Sequence, residues 1–143
     1  NSALPHHHKS VLNASMDLRP HDSMMPRRVN KDTAVEGYFL KTGKLAIFSI
    51  FHLHQHAYFW SQPEQFDPER FLIPENRRFS FMPFGTGERI CIGSHFALLE
   101  SQLLLSMIVQ HCDLQLLNTD DGEIEMAVTL RPKGGIPVRV KWP

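Results

Sequence analysis

The stretch FGTGERICIG, at Phe84–Gly93, decides how the rest of this 143-residue chain is interpreted. Its three glycines surround one basic residue, Arg89, and one thiol, Cys91. Glycine permits tight turns and lets the backbone approach a partner closely. Because an apolar run begins at Ile92, we predict that Cys91 stands at a helix start, where unpaired amides and the helix dipole favour an anion. The stretch therefore predicts a cysteine thiolate that binds a metal.

The same stretch resembles the heme-binding signature of the cytochrome P-450 family, the heme-thiolate monooxygenases. The family pattern is Phe-x-x-Gly-x-Arg-x-Cys-x-Gly, and every fixed position of it is matched. The matching residues are Phe84, Gly87, Arg89, Cys91 and Gly93. A match at all fixed positions outweighs the usual interpretation of a free cysteine as a small buried hydrophobic residue.

Segments on both sides of the signature extend the resemblance. FDPERF, at Phe66–Phe71, is similar to the family's meander, and FALLE, at Phe96–Glu100, is similar to the helix after the cysteine. LRP, at Leu130–Pro132, with GGIPVRV behind it, resembles the family's terminal strands. The likeness runs from Asn13 to Val140, and it is confined to the C-terminal part of the family's catalytic domain.

The resemblance implies an α+β fold, mainly α in the parent family, with residues 1–143 forming one partial domain. The implied order is a helix end, a small β-sheet, the meander loop, the Cys-ligand loop, a buried helix and terminal β-hairpins. We expect the missing N-terminal part of the same domain to be a partner of this chain.

The residues predict matching elements along the chain. Residues 1–10 lack an apolar period and predict a flexible start, followed by a helix end at Val11–Leu18 that Pro20 terminates. A short segment at Thr33–Leu40 is followed by a turn at Thr42–Gly43 and then by Lys44–Phe51, which predicts a buried strand. A long loop with four prolines follows at Ser61–Pro83, and loops of this length usually serve a function.

The C-terminal part predicts one long helix and a set of strands. Ile92–Gln110 is apolar nearly all round, which predicts a buried helix. Asp121–Gly122 predicts a hairpin turn, and strands are expected at Ala127–Leu130 and Ile136–Lys141. No run of apolar residues is long enough for a transmembrane helix, so the compartment is taken as cytoplasmic or unknown.

The resemblance assigns a heme, an iron protoporphyrin, to the signature. It implies that Cys91 is the axial iron ligand, whose thiolate favours O–O cleavage. Arg89 and Arg27 would bind the heme propionates, for which a guanidinium is well suited, although Arg28 could serve in place of Arg27. The full set of implied cofactor-binding residues is Arg27, Phe84, Gly85, Gly87, Arg89, Cys91 and Gly93.

The resemblance also implies a substrate pocket and a redox partner. In the family, a Leu-x-Pro motif, here Leu18–Pro20, is followed by a segment that faces the substrate, and the turn of the last sheet faces it too. The residues at those positions are Asp22, Ser23, Met24, Met25 and Val128. The implied partners are a small organic substrate and a reductase or ferredoxin, and this chain contains no catalytic residue beyond the heme ligand.

One family motif is degenerate in this chain. The family carries a Glu-x-x-Arg pair, whose charges bind the arginine of the meander, shortly before the Leu-x-Pro. Here Ala14 and Asp17 occupy the Glu and Arg positions before Leu18-Arg19-Pro20. Arg70, the meander arginine, is then expected to lose both partners, at a cost of about 3–5 kcal/mol if it is buried. A direct pair between Asp17 and Arg70 would recover part of that cost.

Histidines offer a different hypothesis. His52, His54 and His56 alternate, so on a strand they would share one face and could bind zinc or nickel. His6, His7 and His8 form a second group near the N-terminus. The family's HRDP segment aligns with residues 54–57, where a histidine at position 54 is ordinary.

Composition excludes some functions. Lys plus Arg and Asp plus Glu are 15 each, so the net charge is zero and no nucleic-acid footprint is present. Two cysteines, Cys91 and Cys112, give no disulfide framework, which favours a reducing compartment. With 42% apolar residues the chain could form a core, but the resemblance implies that much apolar surface packs against helices outside it.

The sequence therefore predicts a fragment of a heme-thiolate monooxygenase. Its parent would oxidise or hydroxylate an organic substrate with O2 and electrons from a reductase, and we expect the isolated chain to be inactive. Two alternatives stay open: a non-catalytic remnant that binds no heme, and a histidine-rich metal-binding module.

Overall fold

A computed structural model describes residues 4–72, 79–118, 123–126 and 129–142 of the chain. Val128 of the predicted substrate pocket lies outside these residues, and so does the predicted turn at 121–122. Three helices and eight short strands are present in the described part. They agree with the α+β class predicted from the sequence.

The first helix, α1, spans Leu4–Leu18 and ends before Pro20. The predicted helix end at Val11–Leu18 is present, and the helix extends back to Leu4, into the segment that the sequence predicted to be flexible. The cause is tertiary packing: Ser10 is only 2% exposed, and α1 packs against the meander and the long C-terminal helix. Local periodicity could not show this, because much helix stability comes from such packing.

Two strand pairs follow α1. The first joins β1, at Met24–Arg28, to β4, at Leu45–Ser49, in antiparallel register. The second joins β2, at Thr33–Val35, to β3, at Tyr38–Leu40. The short segment expected at Thr33–Leu40 is therefore a hairpin.

Two turns in this region require the left-handed backbone. The hairpin turns through Glu36 and Gly37, whose φ angles are +46° and +81°. The predicted turn before β4 is present, with Gly43 at a φ of +83°. β1 itself was not predicted, because a proline and two arginines obscure its alternation.

A short helix, α2, at Ile50–His54, follows β4 directly. Ser49 caps it by accepting a hydrogen bond from the backbone N–H of His52 at 3.4 Å. The strand predicted through Phe51 is therefore wrong in its last residues. His52 and His54 lie on a helix, where residues two apart point to different sides, so the predicted shared histidine face is not formed.

The core lies between α1, α2 and the meander. Ala14, Ile50 and Trp60 are its buried apolar residues in the described chain. Phe71 and Phe81 lie beside Trp60, with a ring-centroid distance of 4.9 Å between the two phenylalanines. In the described residues of the loop predicted at Ser61–Pro83, the regular element is a 3-10 turn at Pro68–Phe71, which lies within the meander.

The C-terminal part contains the long helix α3, at Ser94–His111, and four strands. β5, at Asp113–Leu116, pairs with the last strand, β8, at Val138–Lys141. Between them, β6, at Ile124–Met126, pairs with β7, at Leu130–Pro132. Both pairs are antiparallel. β5 pairs with β8 rather than with β6, which is the partner that a hairpin around 121–122 would give it. No helix in the described ranges is both long enough and apolar enough to span a membrane.

α3 is mostly exposed, so the prediction of a buried helix is wrong for this chain. Only Ser94 of α3 is buried, and several of its apolar side chains are more than half exposed. These are Phe96, Leu99, Leu103, Leu104, Met107 and Val109. The apolar composition is that of a buried helix, but the described chain contains nothing that covers this face. Burial depends on neighbours, which a helix's own sequence does not specify.

Candidate functional site

Cys91 lies at the junction of two cavities. The first has a volume of about 400 Å³ and extends between β1 and the loop that precedes α3. Its lining residues are Asp22, Met24, Met25, Pro26, Arg27, Ile50, Met82, Pro83, Phe84, Gly85, Arg89 and Cys91. This cavity brings together most of the residues that the sequence assigned to the cofactor, from segments about 60 residues apart along the chain.

The second cavity has a volume of about 590 Å³ and lies between α1 and α3. It shares Asp22, Pro83, Phe84 and Cys91 with the first cavity. Gly93 and Ala97 line it from the start of α3, and Leu12 and Met16 line it from α1. Cys91 therefore borders open space on two sides rather than packed hydrocarbon.

The loop before α3 is held by three backbone hydrogen bonds. The N–H of Gly85 donates to the carbonyl of Met82 at 3.0 Å, and the N–H of Cys91 donates to the carbonyl of Phe84 at 2.9 Å. The N–H of Ile90 donates to the carbonyl of Gly87 at 3.2 Å. These bonds fold residues 82–91 into a tight corner that presents the cysteine.

Two glycines of this corner have left-handed backbones. Gly85 and Gly87 both have a φ of +73°, which other residues adopt only with strain. A Cβ on Gly85 would also lie 3.4 Å from the sulfur of Met25. The glycines are therefore required by the corner itself, and Gly87, although part of the predicted cofactor set, lines neither cavity.

Cys91 precedes α3 instead of starting it. The helix begins at Ser94, two residues later than predicted, with Gly93 at the cap position. The carbonyl of Cys91 accepts the N–H of Ser94 at 3.3 Å, and the side chain of Cys91 is exposed. Cys112, by contrast, lies at the far end of α3 and lines neither cavity.

The arginines of the first cavity have no carboxylate partner in the described chain. Arg27 donates to its neighbours, from Nη1 to the carbonyl of Pro26 at 2.9 Å and from Nη2 to the sulfur of Met25 at 2.7 Å. The side chain of Arg89 makes no hydrogen bond or ion pair within residues 4–72, 79–118, 123–126 and 129–142. Such guanidinium groups favour an anionic ligand.

Alternation along β1 distinguishes Arg27 from Arg28. Successive side chains of a strand point to opposite faces, and only Arg27 lines the cavity. Arg28 is exposed and donates from Nη1 to the carbonyl of Gly43 at 3.2 Å. Of the two candidates for a propionate contact, the structure therefore places Arg27 at the site.

These residues fit a heme. A flat apolar group with two carboxylates requires a wide apolar space, cationic groups at its edge and a ligand for its iron. The two cavities, Arg27 with Arg89, and the exposed thiol of Cys91 meet those requirements.

The predicted substrate residues divide between cavities. Asp22, Met24 and Met25 line the first cavity beside Cys91. Ser23 faces instead a separate apolar cavity of about 230 Å³, together with Met24 and residues of α2 and β7. Sequence reasoning missed Met82, Pro83 and Ile50 at the first cavity. Met82 and Pro83 directly precede the signature, so their position in the sequence could have identified them.

Arg70 is not left without partners, which corrects the expectation drawn from the degenerate motif. Its Nη1 lies 3.3 Å from Oδ2 of Asp17, and its Nε lies 3.6 Å from Oδ2 of Asp67. Its Nη2 donates to the carbonyls of Ser61, Gln62 and Gln65. The direct pair with Asp17 that the sequence allowed is formed, and both side chains are almost fully buried.

His54 lies beside this ion pair and is fully buried. Its Nδ1 is 3.3 Å from the carbonyl of Met16 and 3.9 Å from Oδ1 of Asp17. Burial lowers the pKa of His54 to about 4, against the opposing effect of the Met16 and Asp17 backbone carbonyls. His54 is therefore neutral near pH 7.

The histidines form no metal site in the described chain. Within those residues, no three His, Cys, Asp or Glu side chains are grouped closely enough to hold an ion. His54 faces two backbone groups, while His52 is exposed and contacts Ser49 at 2.7 Å. The geometry does not support the histidine-rich module.

Comparison with known proteins agrees with the geometry. The cytochrome P-450 family model matches residues 10–138. Cytochrome P-450 3A31 of Mesocricetus auratus is 38% identical, over 73% of this chain and 22% of that protein. The chloroplastic cytochrome P-450 97B2 of Glycine max is 32% identical, over 92% of this chain and 29% of that protein.

Solved structures show the same fold. Cyanobacterial CYP120A1 with retinoic acid bound superimposes with a TM-score of 0.88 at 30% identity, over 96% of this chain and 32% of that one. The chain spans about a quarter of the length of the curated relatives it matches. Since the family model covers most of the residues and the structural match covers nearly all of them, this chain belongs to the cytochrome P-450 family, whose members are heme-containing monooxygenases.

Proposed function

We propose that this chain supplies the cysteine-ligand side of the heme site of a cytochrome P-450 monooxygenase. The observation that carries the proposal is the position of Cys91, exposed where two cavities meet and accompanied by two arginines without carboxylate partners in the described chain. When bound, the heme activates O2 so that one oxygen atom enters an organic substrate, with electrons from a reductase or ferredoxin.

Each residue of the site has a distinct task in this proposal. Cys91 Sγ is the iron ligand, and the hydrogen bond from its N–H to Phe84 fixes the direction of the loop. Arg27 and Arg89 bind the propionates as charge-assisted pairs, so they orient the group within the site. Phe84 and Ala97 contribute apolar surface to the wall of the second cavity.

Gly85, Gly87 and Gly93 act through the backbone. The first two provide the left-handed turns of the corner, and Gly93 precedes α3 with no side chain beyond Cα. A backbone without Cβ atoms lets amide groups approach the sulfur, where hydrogen bonds tune an iron ligand.

On the substrate side, we assign Asp22, Met24 and Met25 to the wall of the pocket. Ser23 and Val128 are the other two positions that the family resemblance assigns to it. Methionine side chains are flexible and polarisable, so they adapt to varied apolar surfaces. The substrate is accordingly an organic molecule with apolar surface.

We further propose that proton delivery and most of the substrate pocket belong to parts of the domain beyond this chain. The chain corresponds to about a quarter of the length of its relatives, and α3 exposes an apolar face that the described residues do not cover. The isolated chain would therefore hold heme without turnover.

A ferrous carbon-monoxide difference spectrum of the chain loaded with hemin tests the proposal. We expect a thiolate-type band from the unmodified chain and from Cys112→Ala, which is the matched control. Cys91→Ala should lose the band. Absence of the band from the unmodified chain, or its survival in Cys91→Ala, would overturn the proposal.

The exposed apolar face of α3 favours one second candidate, a non-catalytic remnant that binds no heme. The same titration separates the two functions. Absence of saturable hemin binding to the unmodified chain, together with absence of the thiolate band, would support the remnant.

A further inference from the structure

We propose that His54 is a positioning residue that holds the Cys91 loop against the end of α1. The proposal rests on the proposed function for the importance of Cys91, but its geometry is independent of heme. His54 is fully buried on α2, lines neither cavity beside Cys91 and touches neither arginine of the site.

The imidazole of His54 bridges two backbone groups. Its Nε2 accepts a hydrogen bond from the N–H of Met82 at 3.0 Å. Since Nε2 accepts, the ring proton of the neutral imidazole is on Nδ1, which donates to the carbonyl of Met16 at 3.3 Å. One buried ring therefore joins the last turn of α1 to the residue that begins the cysteine corner.

A continuous series of hydrogen bonds leads from His54 to the ligand. The N–H of Met82 donates to the imidazole of His54, and the carbonyl of Met82 accepts from the N–H of Gly85. Phe84, the neighbour of Gly85, accepts from the N–H of Cys91 at its carbonyl. Each step shares a residue or a peptide with the next, so a shift at Met82 is transmitted to the backbone of Cys91.

The surroundings of His54 keep the bridge in one orientation. The ring of Phe81 lies 5.1 Å away, centroid to centroid, and the carboxylate of Asp17 lies 3.9 Å from Nδ1. Asp17 is itself held by Arg70. The ring therefore contacts α1, Phe81 of the core and the cysteine corner together, a position suited to transmitting order from the core to the site.

Amide hydrogen exchange measured by NMR on the heme-free chain tests the bridge. In His54→Phe, which keeps a ring but removes both hydrogen bonds, we expect the amides of Met82, Gly85 and Cys91 to exchange at least about tenfold faster. His56→Phe is the matched control, because it makes the same replacement at an exposed histidine two residues away. It should leave those three amides unchanged.

Two further variants separate positioning from simple stability. His54→Gln places an amide oxygen near the Nε2 position, so it should restore slow exchange at Met82. His54→Asn places an amide nitrogen near the Nδ1 position, so it should keep only the α1 contact and leave Met82 exchanging fast. If His54→Phe does not fold, this Gln and Asn comparison decides the question alone.

Three results would overturn the proposal. They are unchanged exchange in His54→Phe, faster exchange at Met82 without any change at Cys91, and Asn rescuing better than Gln. Because exchange is read without heme, it can succeed where the carbon-monoxide band fails, so the proposed function and the positioning role are judged separately. With hemin bound, His54→Phe should also show a smaller thiolate-type band than His54→Gln.

Discussion

The cysteine corner, residues 82–91, and the buried charge cluster of Arg70, Asp17 and His54 differ in how closely they follow the family pattern. The corner keeps every fixed residue of the signature, and its glycines occupy the left-handed turns that require them. The cluster has lost both members of the Glu-x-x-Arg pair, yet Arg70 remains buried and paired, now with Asp17. The difference teaches that a ligand loop depends on residue identity, whereas a buried ion pair depends on charge balance.

The largest expected effect breaks the cluster. Asp17→Ala leaves the nearly buried guanidinium of Arg70 without its buried carboxylate, and such a loss costs about 3–5 kcal/mol. Urea unfolding followed by circular dichroism measures it. Asp67→Ala is the control, because this carboxylate of the same arginine is 39% exposed and should cost only about 1 kcal/mol. Equal losses in the two variants would show that burial of the pair is unimportant.

Acid should weaken the cluster through His54. Its pKa in the folded chain is about 4 against 6.5 for an ordinary histidine, so the unfolded chain binds the proton more readily. Stability is therefore fully present above pH 6.5 and falls as the pH drops toward 4, by about 3 kcal/mol. Because Asp17 and Arg70 also face this ring, the pH dependence of the urea midpoint is compared between the unmodified chain and His54→Phe. His54→Phe should lack the part of the pH dependence that comes from His54. The same pH dependence in both proteins would contradict the assignment.

Restoring the family charges sharpens the comparison. Asp17→Arg alone places a second guanidinium beside Arg70 and should destabilise the chain by more than about 2 kcal/mol. Adding Ala14→Glu supplies the missing carboxylate, so the double variant should recover at least about 1 kcal/mol of that loss. A double-mutant cycle in urea gives the coupling. Purely additive effects would show that Ala14 and Asp17 do not occupy the Glu-x-x-Arg positions.

The smallest expected effect concerns the corner. Gly85→Ala forces a Cβ onto a left-handed backbone and toward Met25, at a cost of about 1 kcal/mol. Gly93→Ala is the matched control, because its φ is −83° and its nearest neighbour would be 3.9 Å away. Melting temperatures should fall clearly for the first and little for the second. The reverse order would remove the conformational reason for the glycine at 85.

The sequence grouped most of the residues that line the first cavity, whereas it missed the bounds of several elements around them. The spacing of residues 84–93 is local, so Cys91, Arg89 and the glycines could be proposed as site residues from their order alone. Arg27 could not be separated from Arg28 until the alternation of β1 was known. That strand was hidden because Pro26 and the arginines lack the usual strand pattern.

Errors arose where distant packing decides the outcome. The start of α1 depends on contacts of Ser10 with the core, and the partner of Arg70 lies far away in sequence. The hypothesis of a strand face shared by His52 and His54 failed because Ser49 caps a helix there. The exposure of α3 depends on neighbours that its own residues do not specify.

Iron-edge X-ray absorption of the hemin-loaded chain tests the central claim most directly, because it counts the sulfur atoms bound to iron. The account predicts one sulfur ligand in the unmodified chain and in Cys112→Ala, and none in Cys91→Ala. An iron bound only by nitrogen and oxygen in the unmodified chain would contradict it.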